Sequence, residues 1–294
     1  MGAACYFSRT KKPPNMTYQP NDSQIKKAAI FKALHTQPGI FIMPNPWDAG
    51  SAKILAGLGF KALATTSAGL AFSLGKKDGY GAVSRAESLE NARIIIEATD
   101  LPVSADLENG YGDTPEACYE TILLAAATGL VGGSIEDATG DPDNPIYPFE
   151  LAVERVQAAV KAAKSLPFPF TLTARAENLI HGRPDLKDTI RRLEAFADAG
   201  ADVLFAPGLK TKEDVEAVVE AVAPKPINVV LGLGAVGPSL DELAAIGVKR
   251  ISLGSSLARA AYGTFLQAGE EIFQNGTFTF ADGIVPYARF NKLF

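Results

Sequence analysis

From about Ile40 onward one pattern recurs along this chain: a short apolar run, a polar or glycine-rich turn, then an amphipathic stretch. The apolar runs are GIFIMP (39–44), KALATT (61–66), LPVSAD (101–106), LVGGSIE (130–136), FTLTAR (170–175), ADVLFA (201–206), PINVVL (226–231) and KRISLG (249–254). Each is short and rich in Val, Ile, Leu, Phe and Thr, as strands buried on both faces are. Helical patterns lie between them, at 48–58, 85–99, 115–128, 149–165, 185–199, 212–222 and 240–246, and a last one follows at 255–273. Ser84 and Glu87 make a capping box, and Thr114 stands before Pro115 at a helix start. The fragments AGLGF, AATGL, DAGAD and AAIGV repeat one helix–glycine–strand joint. Their glycines, Gly59, Gly129, Gly200 and Gly247, stand where a left-handed residue ends a helix.

Strict strand-then-helix alternation implies parallel strands joined by right-handed crossovers. Eight such units predict an α/β fold, a single (β/α)8 TIM-type barrel. An open doubly wound sheet is the competitor, but no GxGxxG follows the first strand. A helix at 22–35 is expected to cap the barrel floor. The expected organisation is a flexible tail over 1–23 and one barrel domain over 24–294. The aromatic C-terminal segment FTFADGIVPYARFNKLF should pack on its own barrel or on a neighbouring subunit.

Composition narrows the partners. The 294 residues suit one barrel, a fold that commonly takes ~250. A net charge of −5 gives no basic face for nucleic acid, and no apolar run approaches the ~20 residues of a membrane span. The two cysteines, Cys5 and Cys118, form no CxxC, and a reducing, cytoplasmic compartment is expected. The N-terminal stretch lacks the apolar core of a secretory signal. Gly2 and Cys5 hint at acylation, but Tyr6 stands where the myristoylation pattern wants Ser or Thr, and a disordered tail is the simpler reading.

Active sites of such barrels lie at the C-terminal strand ends. There this chain places Asn45-Pro46-Trp47-Asp48, then Thr65-Thr66-Ser67-Ala68-Gly69 with Asp78, then Asp106-Leu107-Glu108, Glu136-Asp137 and Arg175-Ala176-Glu177. Asn228 lies near the start or middle of the seventh strand. So many carboxylates at one mouth call for a bound cation. Oxygen ligands without a His or Cys cluster point to Mg2+ or Mn2+ rather than Zn2+. Taken singly, Asp106 or Glu136 could equally cap a helix or close a loop salt bridge. Arg175 could merely neutralise Glu177 or Glu136. Ser67 could be a turn residue and Trp47 plain packing. Of the two histidines, His35 and His181, the second could reach the site or lie on a surface loop.

The ordered series PVSADLENGYG, GGSIEDATG and LTARAENL, together with SLGKKDG, resembles the isocitrate lyase/phosphoenolpyruvate mutase superfamily over roughly residues 38–260. Position by position, the resemblance implies Asp106 as direct metal ligand, with Asp78, Glu108 and Glu136 holding metal-bound waters. It implies a substrate carboxylate bound by Ser67, Ala68 and Gly69, and a pocket lined by Trp47 and faced by Asn228. Arg175 would bind substrate and offset developing negative charge, so that Arg175, Asp106 and Glu136 form the catalytic set. It also implies dimers of dimers with a C-terminal helix exchanged between subunits.

Two departures stand out. The lyase branch carries a Lys-Lys/Arg-Cys-Gly-His loop after the fourth strand, whose Cys is the general acid. Here residues 138–147 read ATGDPDNPIY, without Cys, His or Lys, and Cys118 lies on the preceding helix. Glu108 replaces the second Asp of the family's Asp-x-Asp. The expected chemistry is C–C cleavage or oxaloacetate-type decarboxylation of a small 2-oxo acid through a metal-stabilised enolate. Water or Tyr147 would reprotonate it, and the 138–147 loop would serve as a lid. Phosphonate P–C bond chemistry, which Asp141 and Asp143 disfavour, and a non-catalytic 2-oxo acid binder are the alternatives.

Overall fold

The eight apolar runs form eight short parallel strands: β1 Phe41–Met43, β2 Leu63–Ala64, β3 Val103–Asp106, β4 Gly132–Glu136, β5 Thr171–Arg175, β6 Val203–Phe205, β7 Ile227–Val230 and β8 Arg250–Ser252. The structure is a computed structural model that describes residues 18–79, 81–232 and 238–294. Strand order is β1-β8-β7-β6-β5-β4-β3-β2. The seam between β1 and β2 is closed by the Ala64 N–H, which donates to the Pro44 carbonyl at 3.1 Å. Asn45 staples the same seam. Its Nδ2 donates to the Thr65 carbonyl at 3.0 Å, and its Oδ1 accepts the N–H groups of Leu253 and Gly254, each at 2.9 Å.

The helices α2 Ala49–Gly57, α4 Arg85–Glu97, α5 Pro115–Ala127, α6 Phe149–Ser165, α7 Leu186–Ala199, α8 Lys212–Val222 and α9 Leu240–Ala245 fill the gaps between strands, and α10 Ser256–Asn275 follows the barrel. α3, Ser67–Ser73, is a helix that the Ser- and Gly-rich sequence did not suggest. The Thr66 side chain caps it by accepting the Gly69 N–H. The four joint glycines have φ of +91°, +101°, +103° and +94°, the left-handed conformation that ends a helix at low cost only for glycine. The Ser84–Glu87 capping box and the Thr114 cap both form.

α1, Asp22–Thr36, packs against the barrel near the N-terminal ends of β4 and β5, as expected of a floor helix. The Gln24 amide donates to the Ala126 and Leu130 carbonyls at 2.9 Å, and Phe31 is fully buried. The expected tail lies largely outside the described residues, and Gly2 and Cys5 with it, although Asp22 already opens α1. Beyond α10 come a 3-10 turn, Thr279–Gly283, and α11, Tyr287–Asn291. α10 and the arm that follows it leave Phe265, Phe273, Phe278, Ile284 and Tyr287 exposed on the single chain. The expected exchange of a helix between subunits is not shown. Among the described residues no helix is long and apolar enough to cross a membrane.

Candidate active site

Side chains alternate along a strand, so residues two apart share a face. On β3 and β5 that alternation sends Asp106 and Arg175 into the barrel mouth, and Glu136 on β4 pairs in register with Arg175. Arg175 is the hub. Its terminal nitrogen lies 2.9 Å from Asp106 Oδ1 and 3.2 Å from Glu136 Oε2, and its Nε donates to Glu177 Oε1 at 2.8 Å. The guanidinium also stands over the Phe205 ring, 5.1 Å from its centroid. Both Asp106 oxygens accept hydrogen bonds: Oδ1 also takes the Glu108 N–H at 3.2 Å, and Oδ2 takes the Ser67 hydroxyl at 2.9 Å.

Negative charge exceeds positive charge here. Burial, then repulsion from Asp106, raises Asp78. Burial, then Asp106 and Asp78, pushes Glu108 up to about 7. Glu136 is raised well above its ordinary value by burial, against the pull of Arg175. Glu177 is pushed up by burial as well, also against Arg175. Burial works against the Arg175 charge, but Glu177, Glu136 and Asp106 outweigh it and hold the guanidinium above its ordinary value.

The donors are all oxygens, the set a hard divalent cation takes, and such a cation would relieve the repulsion that a single guanidinium leaves. Among the described residues no three carboxylate, imidazole or thiol side chains are gathered as a ready-made cage. Asp106, Asp78, Glu108 and Glu136 are therefore not assembled as direct ligands together. Mg2+ habitually takes one or two carboxylates and keeps its waters, which suits a spread set.

The surrounding loops explain how these groups are held. Glu108 and Tyr111 have φ of +47° and +59°, strained for residues with side chains. Arg155, buried behind them, fixes that loop by donating to the Gly112 carbonyl at 2.7 Å and to the Asn109 carbonyl. Asp137 accepts the Glu177 N–H at 2.8 Å and pairs with Arg192 at 3.0 Å, locking Glu177 in place.

Ser67, Ala68, Asp78 and Asn228 line the same cavity as Asp106 and Arg175. Gly69 and Trp47 stand behind its wall instead. The Gly69 N–H is committed to Thr66 Oγ1 at 3.3 Å, and a Cβ there would lie 2.6 Å from Thr66 Cγ2 and 3.0 Å from Trp47 Cβ. Trp47 packs toward Tyr262, with 6.4 Å between ring centroids. Trp47 is not among the residues lining the cavity beside Asp106 and Arg175. His181 lies at the rim, 3.8 Å from Glu177.

The Tyr147 hydroxyl donates to Asp113 at 2.6 Å, and burial together with that carboxylate raises it well above the ordinary phenol range. That rules against it as proton donor. The 138–147 segment closes on itself as a small hairpin through the Ala138–Ile146 bridge. Cys118 is buried on α5. Sequence reasoning missed Arg250, because Lys-Arg at the head of a strand reads as surface. Its only signal was the inward register of β8.

A family model described as phosphoenolpyruvate phosphomutase matches residues 31–273. A solved structure from Burkholderia cenocepacia J2315, whose assignment as a lyase/mutase is provisional, superposes with a TM-score of 0.89 at 57% identity, covering 92% of this chain and 96% of that one. The 2-methylisocitrate lyase of Bacillus subtilis is 27% identical over 210 residues, 70% of this chain and 67% of that protein. The oxaloacetate decarboxylase of Bradyrhizobium diazoefficiens is 30% identical over 198 residues, 65% of this chain and 66% of that protein. With its barrel, its acidic mouth and a match across most of its length, the chain belongs to the phosphoenolpyruvate phosphomutase family of the isocitrate lyase/phosphoenolpyruvate mutase superfamily.

Proposed function

We propose that this chain is a divalent-metal-dependent carbon–carbon lyase that cleaves or decarboxylates a small 2-oxo acid. The observation that carries the reading is Arg175, one guanidinium bonded at once to Asp106, Glu136 and Glu177 at the barrel mouth. The name of the Bradyrhizobium relative supports the substrate class, and that of the Bacillus relative supports C–C cleavage of a small carboxylic acid. Asp106, backed by Asp78, Glu108 and Glu136, would hold Mg2+ or Mn2+, whose Lewis acidity would polarise the substrate's carbonyl and carboxylate oxygens.

The chain's own groups do the rest. Arg175 offers fixed N–H donors to the oxygen on which negative charge develops when the bond at the 3-position breaks. The Ala68 N–H in the first turn of α3 stands at the cavity as a donor for a carboxylate, beside Ser67, whose hydroxyl holds Asp106. Glu177, held by Asp137, keeps the guanidinium aimed. The 138–147 hairpin covers the outer cavity through Thr139 and Gly140 and limits water access. With no Cys in that hairpin and Tyr147 committed to Asp113, water delivers the proton. The exposed apolar arm around Phe265 and Phe273 supports a homo-oligomer, a dimer of dimers that covers it.

Phosphonate P–C chemistry is the second reading, favoured by the description of the matching family model. A panel with Mg2+ or Mn2+ and oxaloacetate, 2-methylisocitrate, isocitrate or phosphonopyruvate separates the readings, following pyruvate, glyoxylate, phosphoenolpyruvate or phosphate. Pyruvate from oxaloacetate or 2-methylisocitrate supports the lyase. Turnover of phosphonopyruvate alone replaces it with the second reading. Binding without turnover of any of them makes the chain a 2-oxo acid binder.

A further inference from the structure

Barrel interiors are ordinarily packed with branched apolar side chains. Here Ser104, Ser134, Thr173, Asn228, Arg250 and Ser252 line a cavity of about 200 Å³ that is continuous with the mouth at Asp106 and Arg175. Arg250 is the anomaly. It is 3% exposed. Its Nε donates to Asn228 Oδ1 at 2.8 Å, one terminal nitrogen to Thr173 Oγ1 at 3.0 Å, and the other lies 3.1 Å from His35 Nε2. His35 Nδ1 meets the Phe31 carbonyl at 2.8 Å, so the imidazole proton sits there and Nε2 accepts. All of these partners are neutral, and among the described residues Arg250 makes no ion pair.

A guanidinium has five N–H groups, and these contacts use three of them. Burial pulls Arg250 down only to about 9, so it is a cation at neutral pH. A buried charge without a counter-charge is costly, and a wholly structural plug could be built from neutral groups. The spacing says what would fit. Thr173, which aims Arg250, and Arg175 share one face of β5 and lie two residues apart, about 7 Å by strand rise. Arg250 and Arg175 line one cavity, and Thr173, which accepts from the first, stands two residues before the second on β5.

The geometry points to an anion subsite inside the barrel, in which Arg250, set by Asn228 and Thr173, takes the distal carboxylate of a short dicarboxylic 2-oxo acid. This rests on the reading of the mouth as a 2-oxo acid site. Calorimetry in Mg2+ with pyruvate, 2-oxoglutarate, 3,3-difluorooxaloacetate and succinate tests both parts separately. Wild type should bind at least one of the 2-oxo dicarboxylates about ten- to a hundredfold more tightly than pyruvate, the gain of a charge-assisted contact. Arg250→Met should erase that preference and leave pyruvate affinity unchanged. No preference in wild type, or one that survives Arg250→Met, overturns the subsite. Succinate bound in wild type and lost in Arg250→Met, with no pyruvate binding, would sink the reading of the mouth and keep the subsite. Should Arg250→Met fail to fold, Thr173→Val is measured instead, and it should cut the preference several-fold. A crystal structure of wild type with 3,3-difluorooxaloacetate decides independently: its distal carboxylate lies against Arg250, or the proposal is wrong.

Discussion

Replacing Arg175 by Met keeps the length of the side chain and removes the one cation that, among the described residues, Asp106, Glu136 and Glu177 share. The side chains involved are 14%, 17%, 15% and 2% exposed for Arg175, Asp106, Glu136 and Glu177, so solvent screening is weak. At about 3 Å and an effective dielectric of ~20, each contact is worth roughly 5 kcal/mol before desolvation. Breaking a buried pair from one side typically costs about 3–5 kcal/mol net, because the stranded carboxylates stay buried. Urea unfolding at alkaline pH should show a loss of that size. Carboxylates whose folded-state values are raised bind more protons in the folded than in the unfolded chain. Their penalty therefore shrinks as pH falls through those raised values, and the variant should recover stability under mildly acidic conditions. Turnover on the substrate found by the panel should fall about 10²–10³-fold, the usual cost of removing one preorganised donor. Arg175→Lys should fall between, since an ammonium cannot serve all these carboxylates with the same fork. Unchanged stability and activity in Arg175→Met would refute the hub.

Other expectations follow from single contacts. His35 is held at about 3 by burial, then by Arg250, against an ordinary 6.5. Its contribution to stability is complete above about pH 6.5 and is lost as pH falls toward 3, by about 2 kcal/mol at pH 5. Urea unfolding of His35→Gln beside wild type should show that pH-dependent difference, and parallel curves would contradict it. A Cβ at Gly132 would lie 2.8 Å from both the Thr171 carbonyl oxygen and Phe31 Cε1, so Gly132→Ala should destabilise by about 1–3 kcal/mol. Gly57→Ala, with nothing within 4 Å, should not. Thermal melts of the two variants distinguish them. Phe265 and Phe273 are 77% and 92% exposed, and replacing both by Glu should reduce the oligomer mass in light scattering, whereas an unchanged mass would remove the arm from the interface.

Much of the fold was legible because it rests on local rules. The repeated helix–glycine–strand joint needs a left-handed residue, and Gly59, Gly129, Gly200 and Gly247 supply it. Register then followed from alternation, which is why Glu136 and Arg175 meet. What escaped depends on contacts remote in sequence. α3 forms at Ser67–Ser73 despite poor local propensity, because Thr66 caps it and Leu70 and Ala71 are buried. Trp47 lies behind the wall because Gly69 lets it come close. Tyr147 points at Asp113, with α5 and β4 between them in the chain, and Arg250 turns inward from a segment that reads as surface.

On the proposed reading, a divalent cation at Asp106 is required for chemistry. Metal-stripped wild type and Asp106→Ala should be titrated with Mg2+ by calorimetry and assayed on the panel, with circular dichroism to verify folding. Wild type is expected to bind Mg2+ and to turn over a 2-oxo acid only when it is present, while folded Asp106→Ala does neither. Mg2+-dependent turnover in Asp106→Ala, or full turnover by metal-stripped wild type, would contradict it.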